Sequence, residues 1–146
     1  MKVRVTKEFK FEAAHALDGY DGKCQDIHGH NYHLKVTFLG EPIKDKSTSN
    51  SGMVVDFGEI KDFLNQKIKP LFDHRLILRK DSRFLGLEKI NQRIRYVDYQ
   101  PTTENMLLEI VEIVSNDFEK NKDFVLCSAF LRETPSSYVE WHKEDQ

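Results

Sequence analysis

The sequence VRVTKEFKFEA, at residues 3–13, alternates apolar and polar side chains and predicts a β-strand with one buried face. Its apolar positions are Val3, Val5, Phe9, Phe11 and Ala13, with Lys7 as the interruption. Residues 32–38 repeat the pattern, and their apolar face comprises Tyr32, Leu34, Val36 and Phe38. If these two strands pair antiparallel, the end of the first lies beside the start of the second.

Two amphipathic helices are predicted further along the chain. The segment MVVDFGEI, at residues 53–60, indicates a short strand and then a helix with Asp56 as N-cap and Glu59 completing a capping box. Pro70 is expected to end this helix. Its apolar stripe comprises Phe57, Ile60, Phe63, Leu64 and Ile68. The second helix begins at Thr102, and its stripe comprises Met106, Leu107, Ile110, Val111, Val114 and Phe118.

Two more strands are predicted near residues 124–133 and 137–142, and residues 79–100 are expected to form an irregular excursion with a strand near 94–99. This order predicts an α+β fold, in which an antiparallel four-stranded sheet carries both helices on one face. Residues 1–146 are expected to form a single domain. The uncovered edges of such a sheet favour oligomerisation.

The composition excludes several functional classes. Lysine and arginine total 22 against 24 acidic residues, and the net charge of −2 lacks the positive excess typical of nucleic-acid-binding proteins. No apolar run approaches membrane-spanning length, and the N-terminus lacks the pattern of a signal peptide. Two distant cysteines, Cys24 and Cys127, are typical of a reducing compartment, so a cytoplasmic location is expected.

Strand parity brings three histidines together. Side chains two residues apart share a face of a strand, so the apolar face of the first strand continues to His15. Counting back from Tyr32 in steps of two gives His30 and His28 on the same face, whereas His33 points to solvent. Three imidazoles bind zinc readily and leave a fourth position for water or substrate. A pair of mutually satisfied histidines at a strand end is the alternative.

Cys24 lies four residues before His28, and two roles are open to it. As a fourth ligand it would close the site and make it structural. As a thiol beside a cation, its pKa would be lowered so that it acts as a base. Cys127 lies in an apolar strand and is expected to be a small buried residue.

Three further residues occupy positions that favour chemistry over packing. Asp73 and His74 interrupt the apolar run LFDHRLIL, and an aspartate can orient an adjacent imidazole; a capping Asp and a surface His are the alternative. Glu133 shares the parity of Val125, Cys127, Ala129 and Leu131 at the end of its strand. A carboxylate there can accept paired N–H donors from a guanidine-like ring edge, unless it is simply solvated. His142 is expected to be exposed.

The segments FEAAH, CQDIHGH, VVDFGEIK, LFDHRLIL, PTTEN and LRET occur in one order across nearly the whole chain. In this order the sequence resembles the 6-pyruvoyl-tetrahydropterin synthase and 6-carboxy-tetrahydropterin synthase family. The resemblance implies a tunnelling fold and a homohexamer built from two trimers, with active sites between subunits.

The resemblance also implies a role for each candidate residue. His15, His28 and His30 match the zinc ligands, and Cys24 matches the catalytic thiol. Asp73 and His74 match the pair that works with this thiol, often across a subunit boundary. Glu133 matches the residue that anchors the pterin ring, and Thr103 and Glu104 are expected to line the same pocket.

The implied enzyme is a zinc-dependent lyase acting on 7,8-dihydroneopterin triphosphate. One branch of the family gives 6-carboxy-5,6,7,8-tetrahydropterin and acetaldehyde on the queuosine route, and the other gives the 6-pyruvoyl compound of biopterin synthesis. Three residues separate Cys24 from HGH, a spacing that resembles the queuosine-type enzymes, which we therefore favour. The segment 79–100 is longer than in compact bacterial members. A zinc-binding homologue without catalysis is a further alternative.

Overall fold

The computed structural model describes residues 1–90, 93–120 and 122–146. The described residues form one six-stranded sheet in the order β4-β3-β1-β2-β5-β6. The strands are β1 (Val3–His15), β2 (His28–Gly40), β3 (Arg75–Arg79), β4 (Ile94–Val97), β5 (Phe124–Thr134) and β6 (Ser137–His142). Two helical segments accompany the sheet, which confirms the predicted α+β class.

The pairing of β1 with β2 follows the sequence pattern. The strands are antiparallel over their whole length, from Val3 opposite Gly40 to His15 opposite His28. The inward side chains Phe11, Tyr32 and Leu34 are almost fully buried in the main core, whereas Val3, at the start of β1, is 46% exposed. The alternation therefore arises because one face of this ladder packs against the helices while the other carries polar groups.

The sheet has six strands and is mixed, so the prediction of four antiparallel strands was wrong. The five-residue strand β3 pairs parallel with the end of β1, and β4 pairs parallel with β3. The three central residues of β3, at positions 76–78, form a short apolar run, and such a run has no period that distinguishes a strand from a buried turn of helix. The strand expected near residues 94–99 is present as β4, with shorter bounds.

The first helical segment consists of α1 (Phe57–Phe63), a π-helical turn (Leu64–Ile68) and α2 (Lys69–Phe72). Asp56 caps it by accepting a hydrogen bond from Gly58 N at 2.6 Å. Pro70 does not end the segment, because it lies in the first turn of α2, where a missing N–H costs little.

Two smaller expectations around this helix also differ from the structure. Residues 53–55 form no strand, because Val54 and Val55 lie in a bend, where both are buried. Glu59 forms an ion pair with Lys122 at 3.9 Å instead of the expected capping box.

The second helical segment, α3 (Thr103–Val114) with a π-helical turn (Ser115–Glu119), follows the prediction closely. Thr102 caps it through Asn105 N at 3.3 Å. Every residue of its predicted apolar stripe is buried. Among the described residues, no helix is long and apolar enough to cross a membrane.

A β-bulge alters the parity of β5. The register of β5 against β2 shifts between Thr37 and Phe38, where Leu126 and Ser128 become the partners and Cys127 is the extra residue. Consequently Leu126 is buried while Val125 is 37% exposed, which corrects the predicted placement of Val125 and Cys127 on the inner face. Cys127 is half-buried, and its thiol donates to Thr37 O at 3.3 Å. Beyond the bulge, Leu131 keeps the predicted orientation.

The segment 79–100 packs against a second, smaller hydrophobic core. Ala16, Leu76 and Leu78 are buried there, and Phe84 packs against them. Residues 91 and 92 of this segment lie outside the described residues.

Candidate metal and active site

Three histidines meet where the β1–β2 ladder ends. His15 pairs with His28 across the ladder, and His30 lies opposite Ala13. One ring nitrogen from each lies within 4.8 Å of the other two, so the predicted convergence is confirmed. Gly29 permits the close approach of the two strands here, because a Cβ at this position would lie 3.2 Å from Ala13 O.

Hydrogen bonds to backbone carbonyls orient two of the rings. His15 Nδ1 donates to Pro101 O at 2.7 Å, and His28 Nδ1 donates to Asp26 O at 2.7 Å. A neutral imidazole that donates from Nδ1 presents a lone pair at Nε2, which is how metal-binding histidines are held. The Nε2 atoms of His15 and His28 are 3.1 Å apart.

The donor set fits a cation. Two Nε2 lone pairs facing each other repel, whereas two nitrogens of a tetrahedral zinc site are about 3.3 Å apart. His30 Nε2 is buried without a hydrogen-bond partner among the described residues, as expected of a ligand atom. Burial lowers the pKa of His15 and of His30, which favours the neutral, ligating form. The three residues can therefore hold one metal ion.

Glu133 lies beside the histidines at the end of β5. Its Oε1 is 3.5 Å from His15 Nε2 and 3.7 Å from His30 Nε2. Thr103 Oγ1 donates to the same oxygen at 2.7 Å, and the Tyr32 hydroxyl donates to it at 3.2 Å. Glu133 is thus fixed through Oε1, and no residue that the structure describes donates a hydrogen bond to its Oε2.

The sequence pattern predicted Tyr32 only as a core residue, but its hydroxyl also belongs to the site. Burial and the adjacent Glu133 raise the pKa of Tyr32, so its hydroxyl remains a donor to Glu133. The signal was available, because Tyr32 continues the parity of His28 and His30. Glu104, in contrast, is exposed on the first turn of α3, and no hydrogen bond or ion pair joins it to Glu133 within the described ranges.

Cys24 lies in a short 3₁₀ turn, Lys23–Gln25, before β2. It is half-buried, and its backbone carbonyl accepts a hydrogen bond from Leu17 N at 2.9 Å. Its thiol lies near enough to Tyr32 that a negative charge on the sulfur would add slightly to the raised pKa of the Tyr32 hydroxyl. It is not part of the three-histidine group, which argues against a fourth ligand.

Asp73 and His74 form a pair in the turn between α2 and β3. Asp73 Oδ1 is 3.1 Å from His74 Nδ1 and also accepts a hydrogen bond from Glu12 N at 3.1 Å. His74 has a φ of 56°, which among the described residues is the one positive value outside glycine. Its N–H donates to Glu12 O at 2.6 Å, and this bond helps to hold the strained conformation.

The His74 ring lies on the polar face of the sheet, away from the three histidines. Its Nε2 is 3.7 Å from Glu12 Oε2, and Glu12 alternates with the buried Phe11 and Ala13. A single chain therefore presents the histidine cluster and the Asp73–His74 pair on different faces. An open groove of about 1520 Å³ is lined by His30 and Glu133 and also by His74.

Two other histidines lie apart from this site. His33 points to the opposite face from His30, as predicted, and is 2.9 Å from Glu8 there. His142 is partly exposed, with its Nε2 4.0 Å from Glu140.

Comparisons with known proteins identify the family of the chain. Residues 4–144 match the 6-pyruvoyl tetrahydropterin synthase family, and the chain belongs to this family. It is 39% identical to a 6-carboxy-5,6,7,8-tetrahydropterin synthase of Rickettsia bellii over 94% of this chain and 99% of the relative. It is 34% identical to the enzyme of that name from Haemophilus influenzae over 96% of this chain and 99% of the relative.

A solved structure supports the same family. The 6-pyruvoyl tetrahydropterin synthase of Caenorhabditis elegans superimposes with a TM-score of 0.69 at 25% identity, over 97% of this chain and 96% of that one. The chain therefore has the tunnelling fold of these pterin synthases.

Proposed function

We propose that the chain is a zinc-dependent 6-carboxy-5,6,7,8-tetrahydropterin synthase, a lyase acting on 7,8-dihydroneopterin triphosphate and releasing acetaldehyde and triphosphate. The observation that carries this proposal is the convergence of three ring nitrogens beside Glu133. The relatives that match nearly the whole chain bear the name of this activity, which supports it over the other reaction of the family.

His15, His28 and His30 would hold the zinc ion through their Nε2 atoms, each ring kept neutral at working pH. When bound, zinc supplies Lewis acidity that makes the side-chain hydroxyls of the pterin and the adjoining C–H more acidic. Pro101 O and Asp26 O fix the rings of His15 and His28, so the ligand geometry is set before the ion arrives.

Glu133 would anchor the pterin. Its carboxylate is positioned by Thr103 and Tyr32 through Oε1, and its Oε2 would accept N–H donors from the guanidine-like edge of the ring. This interaction places the substrate side chain toward the histidines. Glu104, exposed beside Thr103, remains a predicted part of the pocket.

Cys24 and the Asp73–His74 pair would move protons. The Cys24 thiolate would remove a proton from the substrate side chain, and His74, oriented by Asp73, would return one to the leaving or rearranging group. His74 contacts Glu12 on the polar face of the sheet, and no hydrogen bond or ion pair among the described residues joins it to the histidine cluster, which supports a site completed by another subunit. A cytoplasmic homohexamer with sites between subunits, as the family resemblance implies, meets this requirement.

The second candidate is the 6-pyruvoyl-tetrahydropterin synthase reaction, in which triphosphate is eliminated and the carbon chain is kept. The structural match to the Caenorhabditis elegans enzyme favours it. The three histidines, Cys24 and the Asp73–His74 pair would serve either reaction, and the product distinguishes the two.

Metal removal tests the zinc requirement. Protein stripped with a chelator should lose turnover of 7,8-dihydroneopterin triphosphate, and one equivalent of zinc per chain should restore it. His28→Ala should bind zinc weakly and stay inactive after zinc addition, whereas His142→Ala, outside the cluster, should behave as wild type. Full turnover by the stripped protein would contradict the proposal.

A further inference from the structure

The segment 79–100 lies against the loop that carries Cys24. Its anchor is apolar, because Phe84 packs on the small core of Ala16, Leu76 and Leu78. Ser82 is 2% exposed, and its hydroxyl accepts a hydrogen bond from Phe84 N at 3.2 Å. Arg83 therefore projects from a fixed base, between the buried Ser82 and the partly buried Phe84.

Arg83 contacts both ends of the Cys24 loop, residues 18–26. Its backbone N–H donates to Asp18 Oδ1 at 3.0 Å. Its guanidinium Nη2 donates to Gln25 O at 2.8 Å and to Asp26 Oδ1 at 3.0 Å. One residue of the segment thus ties the start of the loop to its end.

The clamped residues adjoin two groups of the proposed chemistry. Gln25 directly follows Cys24 in the same 3₁₀ turn. Asp26 O accepts the hydrogen bond from His28 Nδ1 that sets the orientation of that ring. A shift of residues 25 and 26 would therefore move the thiol and one proposed zinc ligand together.

We propose that Arg83 is a positioning residue for the active site, holding the Cys24 thiol and the His28 ring in register with His15 and His30. This inference rests on the proposed function for the roles of Cys24 and His28. Arg83 and Asp26 are 48% and 76% exposed, so their ion pair adds little to global stability. Its effect is to restrict the conformations of the loop, which a planar guanidinium with several donors does well.

The test compares Arg83→Ala and Arg83→Lys with Lys80→Ala. Lys80 is a matched control because it forms an exposed ion pair with Asp98, at 2.6 Å, in the same segment but away from the loop. Arg83→Ala should lower kcat by about tenfold or more with little change in KM, as for other residues that orient metal ligands. Arg83→Lys should recover part of the loss, because lysine keeps the charge but not the fork of donors.

A second measurement does not depend on turnover. Iodoacetamide alkylation of zinc-loaded protein, located by peptide mass spectrometry, should be several-fold faster at Cys24 in Arg83→Ala than in Lys80→Ala, with Cys127 as the internal reference. Thermal unfolding should show that Arg83→Ala and Lys80→Ala are both folded. Asp26→Ala leaves the Arg83–Gln25 hydrogen bond in place, so it should also speed alkylation of Cys24, but by less than Arg83→Ala does.

The outcomes separate the inference from the proposed function. Equal kcat and equal Cys24 alkylation in Arg83→Ala and Lys80→Ala would overturn the inference. Faster alkylation in Arg83→Ala, in a protein whose wild type turns over no pterin, would support the loop contact and contradict the proposed function alone.

Discussion

We expect Cys24 to transfer protons and the three histidines to bind the metal. The histidine nitrogens lie within 4.8 Å of one another, and Cys24 is outside this group. Cys24→Ala should therefore bind zinc as wild type does while turnover falls by at least about 100-fold, because a proton-transfer group is lost. Metal analysis and steady-state kinetics on the same sample measure both. Cys127→Ala is the control, and parallel loss of zinc and stability in Cys24→Ala would show a four-ligand structural site instead.

His74 combines a functional side chain with a strained backbone. Its φ of 56° lies in the left-handed region, which costs a residue with a Cβ about 1 kcal/mol relative to glycine. His74→Gly should therefore be more stable than His74→Ala by about 1 kcal/mol in denaturant unfolding, although both variants should be inactive. Equal stabilities would show that the turn relaxes around alanine.

At the scale of elements, the bulge in β5 decides which side chains reach the core. Leu126 is fully buried, whereas its neighbour Val125 is 37% exposed. Leu126→Ala should lower the free energy of unfolding by about 2–5 kcal/mol, and Val125→Ala by less than about 1 kcal/mol. Urea unfolding of the two variants measures these losses. A larger loss for Val125→Ala than for Leu126→Ala would mean that Val125 faces the core, as uninterrupted alternation along β5 predicts.

The elements that sequence periodicity predicted are those with a long, single-period pattern. The alternation in β1 and β2 predicted that the two strands pair and that the three histidines share one face. The 3.6-residue pattern predicted α3, with Thr102 as its N-cap. The short apolar strand β3 and the bulge at Cys127 have no such pattern, because both depend on contacts with distant strands. The hydrogen bonds from His15 to Pro101 and from Arg83 to Gln25 likewise join residues far apart in the sequence, so no local sequence pattern predicts them.

For the whole molecule, burial of the histidine cluster couples stability to pH. Burial lowers the pKa of His15 and His30 below the ordinary value of 6.5, so below that pH the unfolded chain binds more protons than the folded one. The stability that the neutral, buried rings of His15 and His30 provide is fully present above pH 6.5. It is lost as the pH falls from 6.5 through the lower pKa values that these rings have in the folded protein. Zinc-free protein should therefore melt at a lower temperature at pH 5.5 than at pH 7.5.

A matched variant isolates the cause of this pH dependence. His15→Gln removes the most buried of the titrating rings, so its melting temperature should depend less on pH than that of the wild type over the same range. An identical dependence in both proteins would assign the effect to other groups.

The arrangement of the proton-transfer groups makes a prediction about assembly. If Cys24 of one subunit works with Asp73 and His74 of another, Cys24→Ala and His74→Ala should each be inactive alone. Unfolding and refolding them together should give mixed oligomers with about a quarter of wild-type activity, the share of sites that receive both intact groups. No recovery, in mixtures shown to contain both chains, would place the complete site within one subunit.

Identification of the product tests most directly whether the protein is a 6-carboxy-5,6,7,8-tetrahydropterin synthase. Zinc-loaded protein would be incubated with 7,8-dihydroneopterin triphosphate, and the pterins and released aldehyde analysed by mass spectrometry. We expect 6-carboxy-5,6,7,8-tetrahydropterin together with acetaldehyde. A 6-pyruvoyl product without acetaldehyde would contradict this expectation and assign the other reaction of the family, and unchanged substrate with one zinc bound per chain would contradict both.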